Sequence, residues 1–243
     1  MVLVIDFGNT QVKTAVFEHN NVINKKIIAY SDWQNTFKKI LNQEPRIHHI
    51  VVASVVNDAF LDVLQQANGI KCTFINHESK FPFNNLYATP KTLGIDRMVL
   101  AAGAVFTFPN KNRLVIDLGT CITYDFIDQK NNYLGGAISP GIKLRYQALH
   151  QFTAKLPLLN FEMPKNTIGN STDLAIHSGV VNGVLYEIEG FCKTYNHNDA
   201  NFIIILTGGD SIFLANRLKN TIFANSNFLL ESLNQTFQYN QND

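Results

Sequence analysis

The sequence predicts an α/β protein built from two similar halves. The phrase LVIDFGNT at residues 3–10 returns as LVIDLGT at residues 114–120, each time as a β-branched run that ends in Asp-x-Gly. Around both phrases the apolar residues follow the period of three strands, and then of helices alternating with strands. We therefore expect a duplicated β-β-β-α-β-α-β unit with domains at residues 1–112 and 113–243 and a cleft between them.

The first half follows this pattern element by element. VLVID predicts a buried strand, and QVKTAVFEHN and NVINKKIIAY predict two more strands joined by a turn at HNN. The period then becomes helical, with Trp33, Phe37, Ile40 and Leu41 on one stripe of DWQNTFKKILNQ. RIHHIVVASVV and IKCTFIN predict the last two strands, and NDAFLDVLQQANG predicts the helix between them, which Gly69 closes.

The second half repeats the order. RLVIDLGT, CITYDFID and YLGGAI predict three strands, with a turn at DQKNN and a Pro-Gly break after the third strand. GIKLRYQALHQF and TDLAIHSGVVNGVLYEIEGFCKTY predict helices, NFIIILTGG predicts a strand, and DSIFLANRLKN predicts a closing helix. We expect the polar tail NQTFQYNQND to be loose.

Composition and charge argue against several classes of protein. The 243 residues are 46% apolar and 16% charged, which is typical of a globular fold, and a net charge of +1 does not recruit nucleic acid or an anionic membrane. Cys72, Cys121 and Cys192 are too widely spaced for a zinc site and predict a reduced, cytoplasmic protein. We expect no signal peptide, and no apolar run is long enough for a transmembrane helix.

The two Asp-x-Gly turns indicate phosphate binding. Each turn places a carboxylate, Asp6 or Asp117, at the end of a strand, where the following glycine lets the backbone approach a ligand closely. Such a hairpin can wrap a phosphate while its carboxylate holds a cation. In the first copy Lys13 can touch a phosphate, whereas in the second Thr120 and Thr123 suit a cation with hydroxyl donors. The alternatives are that both aspartates only cap turns and that Lys13 is a solvated strand lysine.

Three further stretches complete the expected site. TGGD at 207–210 follows a strand and lets a nucleotide lie against its backbone, and GGAISPG at 135–141 can line the floor of the cleft. In GIDR, Asp96 and Arg97 occupy the first turn of a helix, whose dipole stabilises the carboxylate. Asp96 can then accept a proton in phosphoryl transfer and Arg97 can bind a carboxylate or phosphate. The alternative is a capping Asp beside a surface Arg.

The order of the motifs resembles that of the type III pantothenate kinases. The motifs are DFGNTQVK (6–13), NLYATPKTLGIDR (85–97), DLGTCIT (117–123), GGAISPG (135–141), NST (170–172) and TGGD (207–210). The resemblance implies the fold of the acetate kinase, sugar kinase, Hsp70 and actin superfamily, in which two ribonuclease H-like domains flank an actin-like ATPase cleft. It also implies ATP-dependent phosphorylation of pantothenate to 4'-phosphopantothenate, the first step of coenzyme A biosynthesis.

The resemblance also assigns roles to single residues. It makes Asp96 the proton acceptor for the pantothenate hydroxyl and Asp117 the ligand of a monovalent cation, K⁺ or NH₄⁺. It places Asp6 near Mg²⁺, Thr120 on ATP, and Thr172 on pantothenate, from the partner subunit of a homodimer. ATP is expected on Asp6, Phe7, Gly8, Asn9, Thr10, Gln11, Val12 and Lys13, and pantothenate on Tyr87, Gly94, Ile95, Asp96 and Arg97.

Two positions depart from the family pattern, and two other functions remain to be weighed. Met98 stands where Trp is common and Cys121 where Ala is usual, but neither has an assigned chemical role. One alternative is a non-catalytic, actin-like nucleotide-binding regulatory protein, which could dispense with GIDR. The other is a kinase or hydrolase of the same superfamily that acts on a sugar or acetate, which would need a different substrate loop. The presence of GIDR and its loop favours the pantothenate kinase.

Overall fold

Two β-sheets organise the chain. The computed structural model describes residues 1–56, 61, 64, 67, 69–196, 200–215, 217–218 and 222–241. The first unit comprises residues 1–110, 130–134 and 227–243, and the second comprises residues 111–129 and 135–226. These units differ from the predicted division after residue 112 because the end of the chain packs with the first unit. Most of the helix predicted from NDAFLDVLQQANG lies outside the described residues.

The sheet of the first unit has five strands. The elements are β1 Val2–Phe7, β2 Gln11–Glu18, β3 Asn21–Ala29, α1 Trp33–Gln43, β4 His49–Ser54 and β5 Lys71–Phe74. The strand order is β3-β2-β1-β4-β5, with β1 antiparallel to β2 and parallel to β4. The predicted helical stripe is confirmed, since Trp33, Phe37 and Ile40 are buried against Leu3 and Ile5 of β1 in one apolar core.

The first unit also contains the helix that GIDR opens and the C-terminal helix. The elements are β6 Asn84–Asn85, α2 Ile95–Thr107 and, at the end of the chain, a helix at Phe228–Gln241. The expectation of a loose tail is wrong, because Leu229, Leu233 and Phe237 form an apolar stripe that is buried. This helix packs closely on α2 at Gly103, where a Cβ atom would lie 1.8 Å from Ser232 Oγ.

The second unit repeats the strand order of the first. Its elements are β7 Asn112–Leu118, β8 Cys121–Ile127, β9 Asn132–Pro140, α3 Ile142–Gln151, α4 Thr172–His177, α5 Gly183–Asn196, β10 Phe202–Thr207, α6 Ser211–Ala215 and β11 Ile222–Ala224. The C-terminal helix at Phe228–Gln241, which belongs to the first unit, is therefore α7. The strand order of the six-stranded sheet is β11-β10-β7-β8-β9-β6, and its first five strands repeat the order of the first sheet, which confirms the predicted duplication. The long helix predicted over 172–195 is interrupted by a π-helical turn at Ser178–Asn182. Over the described residues, every helix is too short or too polar to span a lipid bilayer.

Candidate active site

The first Asp-x-Gly turn is a tight hairpin between β1 and β2. The Gly8 amide donates to Gln11 O at 3.2 Å, and the Tyr30 hydroxyl donates to Gly8 O at 2.5 Å. Burial, followed by the negative charge of Asp6, raises the pKa of Tyr30, so this hydroxyl keeps the proton it donates. Asp6 is only 2% exposed and lies directly opposite Lys13 in the ladder. The turn therefore places a carboxylate and an ammonium group on one face of the sheet.

The second Asp-x-Gly turn has the same position in its unit but different neighbours. Asp117 lies between Thr123 of β8 and Thr207 of β10 in the register of the sheet. Thr207 is 1% exposed, and the buried Oγ1 atoms of both threonines have no hydrogen-bond partner among the described residues. A carboxylate flanked by two hydroxyl groups offers hard oxygen ligands, which suit a cation.

Two glycines, one shortly after β9 and one shortly after β10, pack closely against the second turn. Gly208 has φ +95°, and a Cβ atom there would lie 2.5 Å from Asp117 Oδ1. Gly141 donates its amide to Thr120 O at 3.0 Å, and a Cβ atom there would lie 2.2 Å from Gly119 O. The TGGD and GGAISPG motifs therefore both pack against the DLGT turn, and neither glycine can be replaced without moving backbone.

The GIDR motif opens α2 with a carboxylate at the helix N-terminus. Gly94 is the N-cap residue and Asp96 is the second residue of the helix, where Asp96 Oδ1 accepts the Arg97 amide at 2.8 Å. A Cβ atom on Gly94 would lie 2.4 Å from this oxygen, so the glycine provides the space for the carboxylate. Asp96 is therefore not the capping residue that the alternative interpretation required.

Arg97 is buried rather than on the surface. It is 6% exposed, and its guanidinium carbon lies 5.8 Å from the centre of the Tyr87 ring. The Tyr87 ring in turn meets Tyr133 edge-on at 6.0 Å. Stacking of this kind holds a guanidinium by a cation–π contact. The structure therefore gathers Tyr87, Asp96 and Arg97 at one corner, whereas Ile95 is buried and offers a ligand only its backbone.

Thr172 belongs to a separate groove in the second unit. It is the first residue of α4, and Ser171, not Thr172, caps the helix by accepting the Leu174 amide at 3.3 Å. The exposed Thr172 lines a groove of about 640 Å³ whose other walls include Arg145 and Ile176. The expected ATP segment and the GIDR corner thus lie in the first unit, and Asp117, Thr120 and Thr172 lie in the second.

Sequence reasoning missed two charged side chains near the second turn. Arg145 of α3 and Glu187 of α5 form an ion pair in which Nη2 and Oε2 are 2.5 Å apart. No motif marks either residue, and 42 residues separate them in the chain. Only the packing of the two helices brings them together. The flanking role of Thr207 was missed too, because the register of β10 on β7 cannot be deduced from TGGD alone.

Comparison with known proteins shows the family to which the chain belongs. The sequence model of the type III pantothenate kinase family matches residues 2–194. The chain is 59% identical over 242 residues to the type III pantothenate kinase of Flavobacterium johnsoniae, and the match covers 98% of each chain. The chain belongs to the type III pantothenate kinase family. The resemblance seen in the six motifs is thereby confirmed for this member of the type III pantothenate kinases.

Solved structures of more distant proteins share the fold of this pantothenate kinase family member. A Campylobacter jejuni protein named for the Baf family of transcriptional activators is 23% identical, with a TM-score of 0.66 over 99% of this chain and 100% of that one. The polyphosphate/ATP-glucomannokinase of an Arthrobacter species is 12% identical, with a TM-score of 0.51 over 98% of each chain. These likenesses concern the fold alone, and together with the two sheets they confirm the predicted actin-like and sugar-kinase fold class.

The glycine at the second turn provides a test of this geometry. Gly208→Ala should lower the free energy of unfolding by about 2 kcal/mol, because alanine is strained at this positive φ and its Cβ would displace the DLGT backbone. Gly209→Ala is the matched control, since a Cβ atom there has no neighbour within 4 Å. Urea unfolding gives the free energy, and hydrogen exchange of the β7 amides reports the local change. Equal stability of both variants would contradict the tight packing at Gly208.

Proposed function

We propose that this chain transfers the γ-phosphoryl group of ATP to pantothenate, giving 4'-phosphopantothenate in the first step of coenzyme A biosynthesis. The observation that supports the chemistry most directly is the corner made by Tyr87, Asp96 and Arg97. It combines a carboxylate at a helix N-terminus with a buried guanidinium. The carboxylate can accept the proton of a substrate hydroxyl, and the guanidinium can bind a substrate carboxylate. Family membership supplies the identity of that substrate.

Asp96 is the proton acceptor in this proposal. The pantothenate hydroxyl oxygen attacks the γ-phosphorus while its proton passes to the Asp96 carboxylate. The bond from the γ-phosphorus to the bridging oxygen breaks, and ADP leaves. Little base strength is needed, because transition states of this kind are loose and positioning carries most of the catalysis. The Arg97 amide fixes one carboxylate oxygen of Asp96 and leaves the other to receive the proton.

Arg97 binds the substrate carboxylate in this proposal. A guanidinium can hold a carboxylate through two parallel hydrogen bonds, and the contact with Tyr87 limits its rotation. Gly94 and Ile95 contribute through their backbone, because one lacks a side chain and the other buries it. These groups orient the hydroxyl of pantothenate toward Asp96.

The first turn is the proposed ATP site. Lys13 and the amides of the turn after Gly8 would contact phosphate oxygens, and Thr120 is a further proposed ATP contact. Within the described ranges, no cluster of three or more His, Cys, Asp or Glu side chains could hold a metal ion. Mg²⁺ suits such a site, because it commonly takes one or two protein carboxylates and completes its shell with phosphate oxygens and water. Asp6 would hold it, and the ion would neutralise phosphate charge.

The proposed binding site for a monovalent cation, K⁺ or NH₄⁺, consists of Asp117, Thr123 and Thr207. A buried hydroxyl without a partner costs about 1–3 kcal/mol, and the described residues leave two such hydroxyls beside Asp117. Their oxygen atoms can coordinate K⁺ or accept hydrogen bonds from NH₄⁺. Asp117 would supply the compensating charge. This arrangement fits a singly charged ion better than the row of Asp6 and Lys13, which already contains a cation.

A homodimer is the proposed assembly. The segment from α3 to α4 exposes large apolar side chains, with Phe152, Leu158 and Ile168 exposed by 80%, 57% and 85%. Apolar side chains exposed in this number mark an interaction surface, and the Thr172 groove belongs to the same unit. A second copy covering this segment would let Thr172 reach the pantothenate of the partner subunit.

The three free cysteines are consistent with the cytoplasmic location we propose.

Pantothenate-dependent release of ADP tests the activity. With ATP, Mg²⁺ and K⁺ present, the wild-type chain should release ADP only when pantothenate is added. Asp96→Asn should lower kcat by about 10²-fold or more, because the attacking hydroxyl loses its proton acceptor, while ATP affinity changes little. Asp32→Asn, the same change at the start of α1, is the control and should leave kcat unchanged. ATP binding without pantothenate-dependent ADP release would favour the non-catalytic nucleotide-binding protein.

The monovalent cation should bind through the flanking threonines. In the wild type, K⁺ should raise the melting temperature and Na⁺ should do so less. Thr207→Val keeps the shape of the side chain but removes its hydroxyl, and should raise the half-saturating K⁺ concentration by about fivefold or more. In choline chloride the variant should be as stable as the wild type, because no satisfied hydrogen bond is lost. Identical K⁺ titrations of the two proteins would refute the role of Thr207.

The exposed apolar segment should hold the dimer together. Phe152→Glu should weaken self-association by about 10²-fold or more, since it places a charge in an apolar interface. Ile27→Glu is the control, because Ile27 is also exposed, by 53%, but lies on β3 of the first unit. Sedimentation velocity over a range of concentrations measures both. A wild-type chain that stays monomeric at micromolar concentration would argue against the dimer.

A further inference from the structure

A polar network lies behind the second turn, and the mechanism above does not use it. Glu187 Oε1 accepts the hydroxyl of Tyr124 at 2.8 Å and that of Ser139 at 2.5 Å. Its other oxygen, Oε2, pairs with Arg145 Nη2 at 2.5 Å. One carboxylate thus joins β8, β9, α3 and α5. Such convergence on a single group is a strong geometric restraint.

The network continues from Arg145 to the turn itself. Arg145 Nε donates to Pro140 O at 2.8 Å. The next residue, Gly141, donates its amide to Thr120 O at 3.0 Å, and its Cα lies so close to the turn that a Cβ would reach within 2.6 Å of the same oxygen. The path from Glu187 to Thr120 therefore consists of an ion pair, a hydrogen bond, one peptide link and a second hydrogen bond. A displacement of Glu187 can therefore reach the turn through a continuous chain of contacts.

The charges in this network are well protected from solvent. The side chains of Arg145 and Glu187 are 22% and 23% exposed. Burial alone raises the pKa of the Glu187 carboxyl, but the hydrogen bonds from Ser139, Arg145 and Tyr124, together with the charge of Arg145, outweigh burial and leave that pKa lowered. Burial and the hydrogen bond to Glu187 raise the pKa of Tyr124, which stays a donor. The network is therefore ionised at neutral pH and keeps one hydrogen-bond pattern.

A stabilising role alone does not account for this arrangement. Desolvation offsets most of what a largely buried ion pair contributes to folding, and apolar side chains of similar size often serve as well. What an ion pair adds is a fixed geometry. Here the fixed group is the corner at Ser139–Gly141 of the GGAISPG motif, which packs against the DLGT turn.

We propose that the Arg145–Glu187 pair is a positioning element that sets the Asp117–Thr120 turn for binding of the nucleotide and the monovalent cation. The pair acts on this turn through Pro140 and Gly141. The inference rests on the proposed function, which assigns ATP to Thr120 and the cation to Asp117. It adds two residues to that function that lie outside every motif of the family resemblance.

Glu187→Gln tests the proposal, because it removes the charge and keeps the size of the side chain. The KM for ATP and the half-saturating K⁺ concentration should each rise by about fivefold or more, while the KM for pantothenate stays within about twofold of the wild type. Titration calorimetry with a non-hydrolysable ATP analogue should show the same loss of affinity. Glu189→Gln, two residues further along α5, is the matched control and should change none of these values.

A second variant guards against simple loss of folding. Arg145→Met combined with Glu187→Met removes both charges, so no uncompensated charge remains buried and the fold is retained. It should weaken binding of the ATP analogue and K⁺ as Glu187→Gln does, measured well below its melting temperature, which falls because the buried Tyr124 hydroxyl loses its acceptor. A lower kcat with unchanged KM values would indicate only a smaller folded fraction and would overturn the proposal. So would an Arg145 variant that weakens binding when Glu187→Gln does not, since Arg145 would then act directly.

The two proposals fail in different ways. If the wild-type chain released no ADP with pantothenate, the kinase reaction would be refuted, yet binding of the ATP analogue and K⁺ would still respond to Glu187→Gln. If the wild type were active and both variants bound the analogue and K⁺ like the wild type, the positioning role would be refuted and the kinase reaction would stand.

Discussion

A carboxylate near the end of the first long strand of each sheet, Asp6 or Asp117, is the constraint on which the rest of the site depends. Asp6 is nearly inaccessible, and an ionised group in such a place is costly unless a charge or a hydrogen bond compensates it. The neighbouring strands therefore decide what each unit can bind. In the first unit Lys13 lies opposite Asp6, whereas in the second Thr123 and Thr207 flank Asp117. A difference in the few side chains opposite each aspartate thus separates a proposed phosphate-binding site from a proposed cation-binding site.

The second turn also depends on backbone contacts that only glycine permits. Gly208 and Gly141 come from segments far apart in the chain, and a Cβ atom on Gly208 would lie 2.5 Å from Asp117 Oδ1 and one on Gly141 2.2 Å from Gly119 O. Such contacts transmit displacement directly, because no side chain is available to change rotamer. The same closeness explains why the corner at Pro140 matters. Whatever fixes Pro140 also fixes Thr120, and the groups that fix it are Arg145 and Glu187.

Local patterns predicted much of this molecule, and long-range register explains what they missed. The repeat and the α1 stripe follow from periods of two and 3.6 residues within short segments. α7 was missed because its polar residues dominate the last ten positions, while its apolar stripe begins earlier, at Phe228. Thr207 beside Asp117 depends on parallel pairing across 90 positions, which no local period encodes. The Arg145–Glu187 pair likewise arises only when two helices pack.

The different ligands proposed for the two turns follow from the negative charge that is transferred in phosphoryl transfer. The transferred group is anionic, so its donor needs positive charge, which Lys13 and a magnesium ion at Asp6 would provide. A second lysine opposite Asp117 would add to that charge but would also neutralise the carboxylate permanently. With threonines at that position, the proposed exchangeable ion would supply the compensation, and the charge at the second turn would then depend on the ionic medium. Duplication of one hairpin would then have yielded one fixed charge and one adjustable charge, with the difference confined to the residues across the ladder from each aspartate.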